Sequence, residues 1–205
     1  IPMNEAEFCI VDIETNGSKI DKHQIIEIAG LKIKNGKIID SFESLVKCSQ
    51  INEHITAITG ISVKDTLDAP ALKDVLYKFK LFLGDAVFIA HDVKFDYKFI
   101  SQSIQKIGLE PLLNRSLCSL ALAERTVESY RYALSYLNDT FRLNPDANHH
   151  RAMSDVMTTY GLIKLSLENI HENIHNVEDL IKFSKEGKRL KRPKFDPLLK
   201  ESSEN

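Results

Sequence analysis

Glu7-Phe8-Cys9-Ile10-Val11-Asp12-Ile13-Glu14 is rich in apolar and β-branched residues through Ile13 and closes on two carboxylates. It reads as a strand. A strand's period of two puts Phe8, Ile10, Asp12 and Glu14 on one face, so a buried apolar stripe ends in a pair of acids. Carboxylates at that place are costly unless paired or metal-bound, and hard oxygen ligands are what magnesium or manganese takes. A surface Asp-x-Glu pair is common, so the meaning of this one depends on the rest of the chain.

Outward from it, Gln24 to Lys34 alternates as a strand, and Asn35-Gly36 supplies a hairpin turn into Lys37 to Lys47. Three antiparallel strands therefore open the fold. A short helix is predicted around His54 to Thr59. Pro70 then leads a helix whose Leu72, Val75, Leu76, Phe79 and Leu83 keep the 3.6-residue period until Gly84. Ala86 to Ala90 has the continuous apolar character of a fully buried strand, and it runs into a helical pattern carrying Phe95, Phe99, Ile104 and Ile107 up to Gly108. Further helices are predicted at Ser119 to Arg125, Tyr132 to Phe141 and Arg151 to about Asn169. Strands first and alternating elements afterwards imply an α/β fold, a mixed sheet flanked by helices. No internal repeat is present.

With 205 residues, 43% of them hydrophobic, one domain with a small appendage is expected. The first twenty residues lack a charged start, an apolar stretch and a small-residue cleavage site, and no apolar run approaches the roughly 20 residues that span a bilayer. A soluble, cytoplasmic protein without membrane contact is the expectation. Cys9, Cys48 and Cys118 are odd in number and far apart, which argues for buried thiols in a reducing compartment over disulfides or zinc. The net charge of −2 gives no global attraction to nucleic acid and does not exclude it either. Residues 185–205 change character: Lys188, Arg189, Lys191, Arg192 and Lys194 surround one leucine, followed by prolines and a polar end. They read as a basic, flexible C-terminal tail beside a domain of residues 1–184, with a phosphate-contacting or partner-docking arm as the other reading.

Asp96 follows the buried strand in His91-Asp92-Val93-Lys94-Phe95-Asp96. Asp92 fits a helix N-cap, and Asp96 then projects from the first turn, where a negative charge is tolerated. Capping alone accounts for either acid. His150 and Asp155 are five apart, about 140° around a helix, and converge only if His150 lies in the loop before the helix. There its imidazole is suited to act as general base, or simply to sit at the surface. His149 is its neighbour, and the choice between them rests on spacing. His171 and His175 lack the further ligands of a zinc site, and Tyr130, Tyr132 and Tyr136 fit partly buried tyrosines better than a base-stacking platform.

Taken together, Asp12-Ile13-Glu14-Thr15, His91-Asp92-Val93-Lys94-Phe95-Asp96 and His150-Arg151-Ala152-Met153-Ser154-Asp155 resemble, in order, the three motifs of the DEDDh superfamily of 3′–5′ exonucleases. Over residues 7–170 the chain is most similar to the epsilon-type (DnaQ-like) proofreading exonucleases of bacterial DNA polymerase III. Ile58-Thr59-Gly60-Ile61 with Ala69-Pro70 resembles the family's loop against the terminal nucleotides. A related branch has tyrosine four residues before the last aspartate; Arg151 stands there, which favours the histidine branch. Asp92 departs from the family's usual asparagine, either altering metal affinity or capping equally well.

The resemblance implies a ribonuclease-H-like fold and two divalent cations, Mg2+ or Mn2+. Asp12, Glu14 and Asp155 would hold the first cation, Asp12 would also reach the second, and Asp96 would assist directly or through water. It makes His150 the base that takes a proton from the attacking water, and gives Thr15, Ile58 and Phe95 contact with the substrate. The implied substrate is a single-stranded or frayed DNA 3′ end, cut to nucleoside 5′-monophosphates in proofreading or repair, with a DNA polymerase subunit as partner. Trimming of RNA ends is the alternative, and a polymerase-binding module with secondary catalysis is the alternative of another class.

Overall fold

The computed structural model describes residues 1–199. Strands β1 (Glu7–Thr15), β2 (Ile25–Lys34) and β3 (Lys37–Leu45) open the chain, followed by α1 (Glu53–Thr59) and α2 (Leu72–Leu83). Then come β4 (Val87–Ala90), α3 (Val93–Lys106), β5 (Ser116–Cys118), α4 (Ser119–Thr126), α5 (Leu134–Phe141), α6 (Ala152–Glu168) and α7 (Val177–Glu186). The sheet order is β3-β2-β1-β4-β5. β1 to β3 pair antiparallel, whereas β1, β4 and β5 run parallel. This is the mixed α/β, ribonuclease-H-like sheet expected. Asn35 and Gly36 take φ of 50° and 74°, the left-handed pair that a two-residue hairpin requires.

β1 lies at the centre, and its alternation sorts the helices onto two faces. Cys9, Val11 and Ile13 pack with Phe79 and Leu83 of α2 and with Phe99, Ile100 and Ile104 of α3. Phe8 and Ile10 meet Ala152, Val156 and Ile163 of α6 and Leu180 and Ile181 of α7. Since Asp12 and Glu14 continue the Phe8–Ile10 stripe, they emerge on the face that α6 covers.

Two elements carry no signal strong enough to be expected from sequence. β5 has three residues, too few for a period, and is a strand because Ser116, Leu117 and Cys118 complete the parallel edge beside β4. α7 is amphipathic, and Asn176 caps it by accepting from the Asp179 N–H at 2.9 Å. The boundary drawn at 184/185 falls inside this helix. Beyond it the chain runs back along α4, where the Leu190 N–H donates to the Glu124 carbonyl at 2.8 Å. Residues 200–205 of the expected tail lie outside the described residues.

Tyr132 precedes α5 instead of starting it; it is buried and its hydroxyl donates to the Val127 carbonyl at 2.6 Å. Cys9, Cys48 and Cys118 are free thiols. Among the described residues no helix is long and apolar enough to cross a membrane.

Candidate metal centre

Asp12 and Glu14 on β1 and Asp155 on the first turn of α6 each bring a carboxylate oxygen within 4.8 Å of the others. This is the one group of His, Cys, Asp or Glu side chains among the described residues that could hold a metal ion. Asp96 comes from the first turn of α3; it is 5% exposed, and its Oδ2 accepts the Ile13 N–H at 3.3 Å. It therefore stands beside the β1 backbone between the two β1 acids, outside the three-oxygen group.

Crowding and burial hold all four carboxyls toward their protonated forms. Burial pushes Asp12 well above the usual carboxylate range, and the charges of Asp96, Asp155 and Glu14 push it further. Burial, with Asp155 and Glu27, raises Glu14 to about 8. Asp96 also rises to about 8 through burial, against the Ile13 hydrogen bond, which favours its anion. Asp155 is raised by burial and partly relieved by His149. One Asp12 oxygen, Oδ2, is buried without a hydrogen-bond partner. An orphaned carboxylate oxygen among converging acids fits a divalent cation, which would satisfy the lone pairs and cancel the repulsion.

Glu27 was not foreseen. It sits opposite Glu14 in the β1–β2 register and is 3% exposed. Its carboxylate accepts from Arg151 NH2 at 2.8 Å and from the Ala152 N–H at 2.7 Å, so it caps α6 in place of Arg151, whose side chain makes no cap of its own. The available signal was an acid inside the otherwise apolar run Ile25-Ile26-Glu27-Ile28-Ala29; what it would meet was not readable, because Arg151 lies 124 positions away.

His149 and His150 lie in the loop before α6. His149 Nδ1 is 3.5 Å from Asp155 Oδ1, whereas His150 directs its backbone N–H to Asp155 Oδ2 at 3.3 Å and has an exposed side chain. The loop is tied to α6 through the Asn148 N–H to Ser154 Oγ at 2.7 Å and Asn144 Nδ2 to Thr158 Oγ1 at 3.2 Å. Asp92 occupies the N-cap position of α3 but makes no side-chain cap bond, correcting that expectation; its φ is 67°.

His91 is half-buried, with Nε2 donating to the Tyr132 carbonyl at 2.6 Å and Nδ1 facing Ser119 Oγ at 2.9 Å. Burial lowers its pKa, so it is a neutral tie between β4, α4 and the Tyr132 turn. Thr15, at the end of β1, donates its hydroxyl to the Gly17 carbonyl at 2.7 Å. Ile58 and Phe95 are each 41% exposed, apolar side chains left at the surface of α1 and α3.

Residues 9–163 match the exonuclease family model, RNase_T. The DNA polymerase III PolC-type proteins of Caldanaerobacter subterraneus subsp. tengcongensis and Staphylococcus haemolyticus are 38% and 33% identical to it over 170 and 181 residues. These alignments cover 82% and 87% of this chain, and the chain spans about 12% of the length of either curated relative. Among solved structures, exonuclease X in complex with 5′-overhanging duplex DNA superposes with a TM-score of 0.68 at 24% identity, over 86% of this chain and 99% of that one. E. coli exonuclease I in complex with a dT13 oligonucleotide gives 0.72 at 18%, over 80% and 42%. Both show the same fold. The carboxylate cluster thus lies within a matched region that takes in β1, α3 and most of α6, and the chain belongs to the exonuclease family.

Proposed function

We propose that this domain removes nucleotides one at a time from the 3′ end of DNA and releases nucleoside 5′-monophosphates, in replication proofreading or repair in the cytoplasm. Two divalent cations, Mg2+ or Mn2+, are its cofactors. The observation that carries the reading is the convergence of Asp12, Glu14 and Asp155 on one point, with a buried Asp12 oxygen left without a partner. Asp12, Glu14 and Asp155 would hold the first cation, Asp12 would also serve the second, and Asp96 would assist directly or through water. Bound there, divalent cations supply Lewis-acid stabilisation of the attacking and leaving oxygens and acidify the attacking water.

His150 takes the proton from that water at an imidazole nitrogen. It is suited to this by its exposure and by its place on a loop anchored to α6. Thr15, Ile58 and Phe95 orient the terminal nucleotides; the two exposed apolar side chains offer surface on which a base or sugar is shielded from water. The names of the relatives make a replicative DNA polymerase the favoured partner.

Purified protein with Mg2+ or Mn2+ should shorten a labelled single strand from its 3′ end and yield mononucleotides, and Asp12→Asn should abolish this while leaving the fold intact by circular dichroism. Matched RNA run in parallel measures sugar preference. Failure to shorten either strand, or an Asp12→Asn enzyme as active as the parent, would overturn the reading.

A further inference from the structure

We propose that the segment 187–195 and the turn 130–132 form a second single-strand site, where a base upstream of the reacting end stacks between Tyr130 and Phe195 while its phosphates meet the neighbouring lysines and Arg131. This rests on the exonuclease reading for its substrate and on separate residues for its geometry. Arg125 of α4 is 9% exposed and anchors the segment, donating from Nε to the Gly187 carbonyl at 2.8 Å and from NH2 to the Lys185 carbonyl at 3.0 Å. Arg189 and Arg192 share Glu124 at 3.7 and 3.4 Å. One acid against two arginines leaves a surplus of positive charge. Lys188, Lys191 and Lys194 are exposed and have no carboxylate partner among the described residues.

Aromatic rings alternate with these cations. Arg192 lies over the Tyr132 ring at 5.0 Å and Arg131 over Tyr130 at 5.6 Å. Tyr130, Lys194 and Phe195 line one open cleft of about 730 Å³. Phe195 is 81% exposed. Asp196, the acid lining this cleft among the described residues, has its Oδ1 taken by the Tyr136 hydroxyl at 2.6 Å and the Leu198 N–H at 3.0 Å. Rings held beside unpaired cations are the combination that binds single strands, because phosphates supply the charge and every base has a face to stack.

The site also stands at the right end of the molecule. The parallel register pairing Ile10 with Ile89 brings Asp12 and His91 to the same end of adjacent strands, and His91 holds the Tyr132 carbonyl at 2.6 Å. The turn is thereby tied to the end of β4, the strand next to the one that carries Asp12.

The test uses the full chain in EDTA, so that nothing is cut, with fluorescein-labelled dT12 and dT3 read by anisotropy over a salt series. Phe195→Ala and Tyr130→Ala should each weaken dT12 by about tenfold, and Lys191→Ala/Lys194→Ala should flatten the salt slope by about 0.7 for each phosphate left without its lysine. Affinity for dT3 should hold, and so should Mn2+-dependent cleavage of the p-nitrophenyl ester of thymidine 5′-monophosphate, which engages only the carboxylate centre. If all variants bind dT12 with the parent's affinity and salt slope, the second site is refuted. Equal losses for dT3 refute it too, since they put these residues at the reacting end. A parent that binds dT12 through these residues but never cleaves the ester would instead sink the enzymatic reading and leave the strand site standing.

Discussion

Two residues beside the carboxylates, Asp92 and His150, have φ of 67° and 68°. Residues with a side chain seldom take this left-handed region, and Asn, Asp and His are the ones enriched there. This accounts for the departure at position 92: the backbone between β4 and α3 must turn left-handed, and aspartate satisfies that need as asparagine does. At His150 the side chain is exposed while its N–H stays on Asp155. His150→Asn keeps a residue tolerant of that φ and removes the proposed base. It should lower kcat by about 10²- to 10⁴-fold with little change in melting temperature. His149→Asn should cost much less, because that ring stands in ion-pair range of Asp155; a steady-state comparison showing the reverse ranking would transfer the base role to His149. The spacing in the sequence pointed to His150 of this pair, and the structure adds that His149 is the ring 3.5 Å from Asp155.

The first turn of α6 carries Asp155, so whatever holds that turn sets the carboxylate cluster. Glu27 does so from the neighbouring strand, through Arg151 and the Ala152 N–H. Glu27→Ala removes a cap, which costs about 1–2 kcal/mol, and relief of repulsion with Glu14 offsets part of that. Urea denaturation should show the net loss, and Mn2+ binding followed by calorimetry should weaken in the same variant; unchanged metal affinity would make Glu27 a stabilising residue only. The other end of the histidine loop is held by close packing. A Cβ added at Gly161 of α6 would lie 2.7 Å from the Leu143 carbonyl oxygen, and that backbone cannot yield without moving the loop. Gly161→Ala should therefore destabilise the protein by about 1–3 kcal/mol and reduce kcat, although it touches none of the acids. Helix α6 itself was legible from its period, but neither of these supports was, since both join segments whose local patterns do not mention each other.

For the whole molecule, the acids are a liability without a cation. Glu14 and Asp96 stand at about 8 in the folded protein against ordinary values of 4.5 and 3.8. Between those limits the folded state binds more protons than the unfolded one, so stability falls as pH rises. Melting in EDTA should drop steadily from pH 5.5 to 8.5. Mn2+ at about 100 times its Kd should restore about 2.7 kcal/mol, with the largest gain in melting temperature at the alkaline end. A melting temperature flat across this range, with or without the ion, would show that the carboxylates do not share one desolvated pocket. By itself the sequence determined the three-strand opening, the face on which Asp12 and Glu14 emerge, and the ordered motifs of a nuclease, because burial alternates with a period each element keeps within itself. Tertiary structure alone decided that Asp155 meets those acids, that Glu27 and Arg151 brace the meeting, that three residues form β5, and that a basic segment lies along α4. Those outcomes depend on how separate helices seat against the two faces of one sheet, and that packing is settled by shape and charge between residues far apart in the chain.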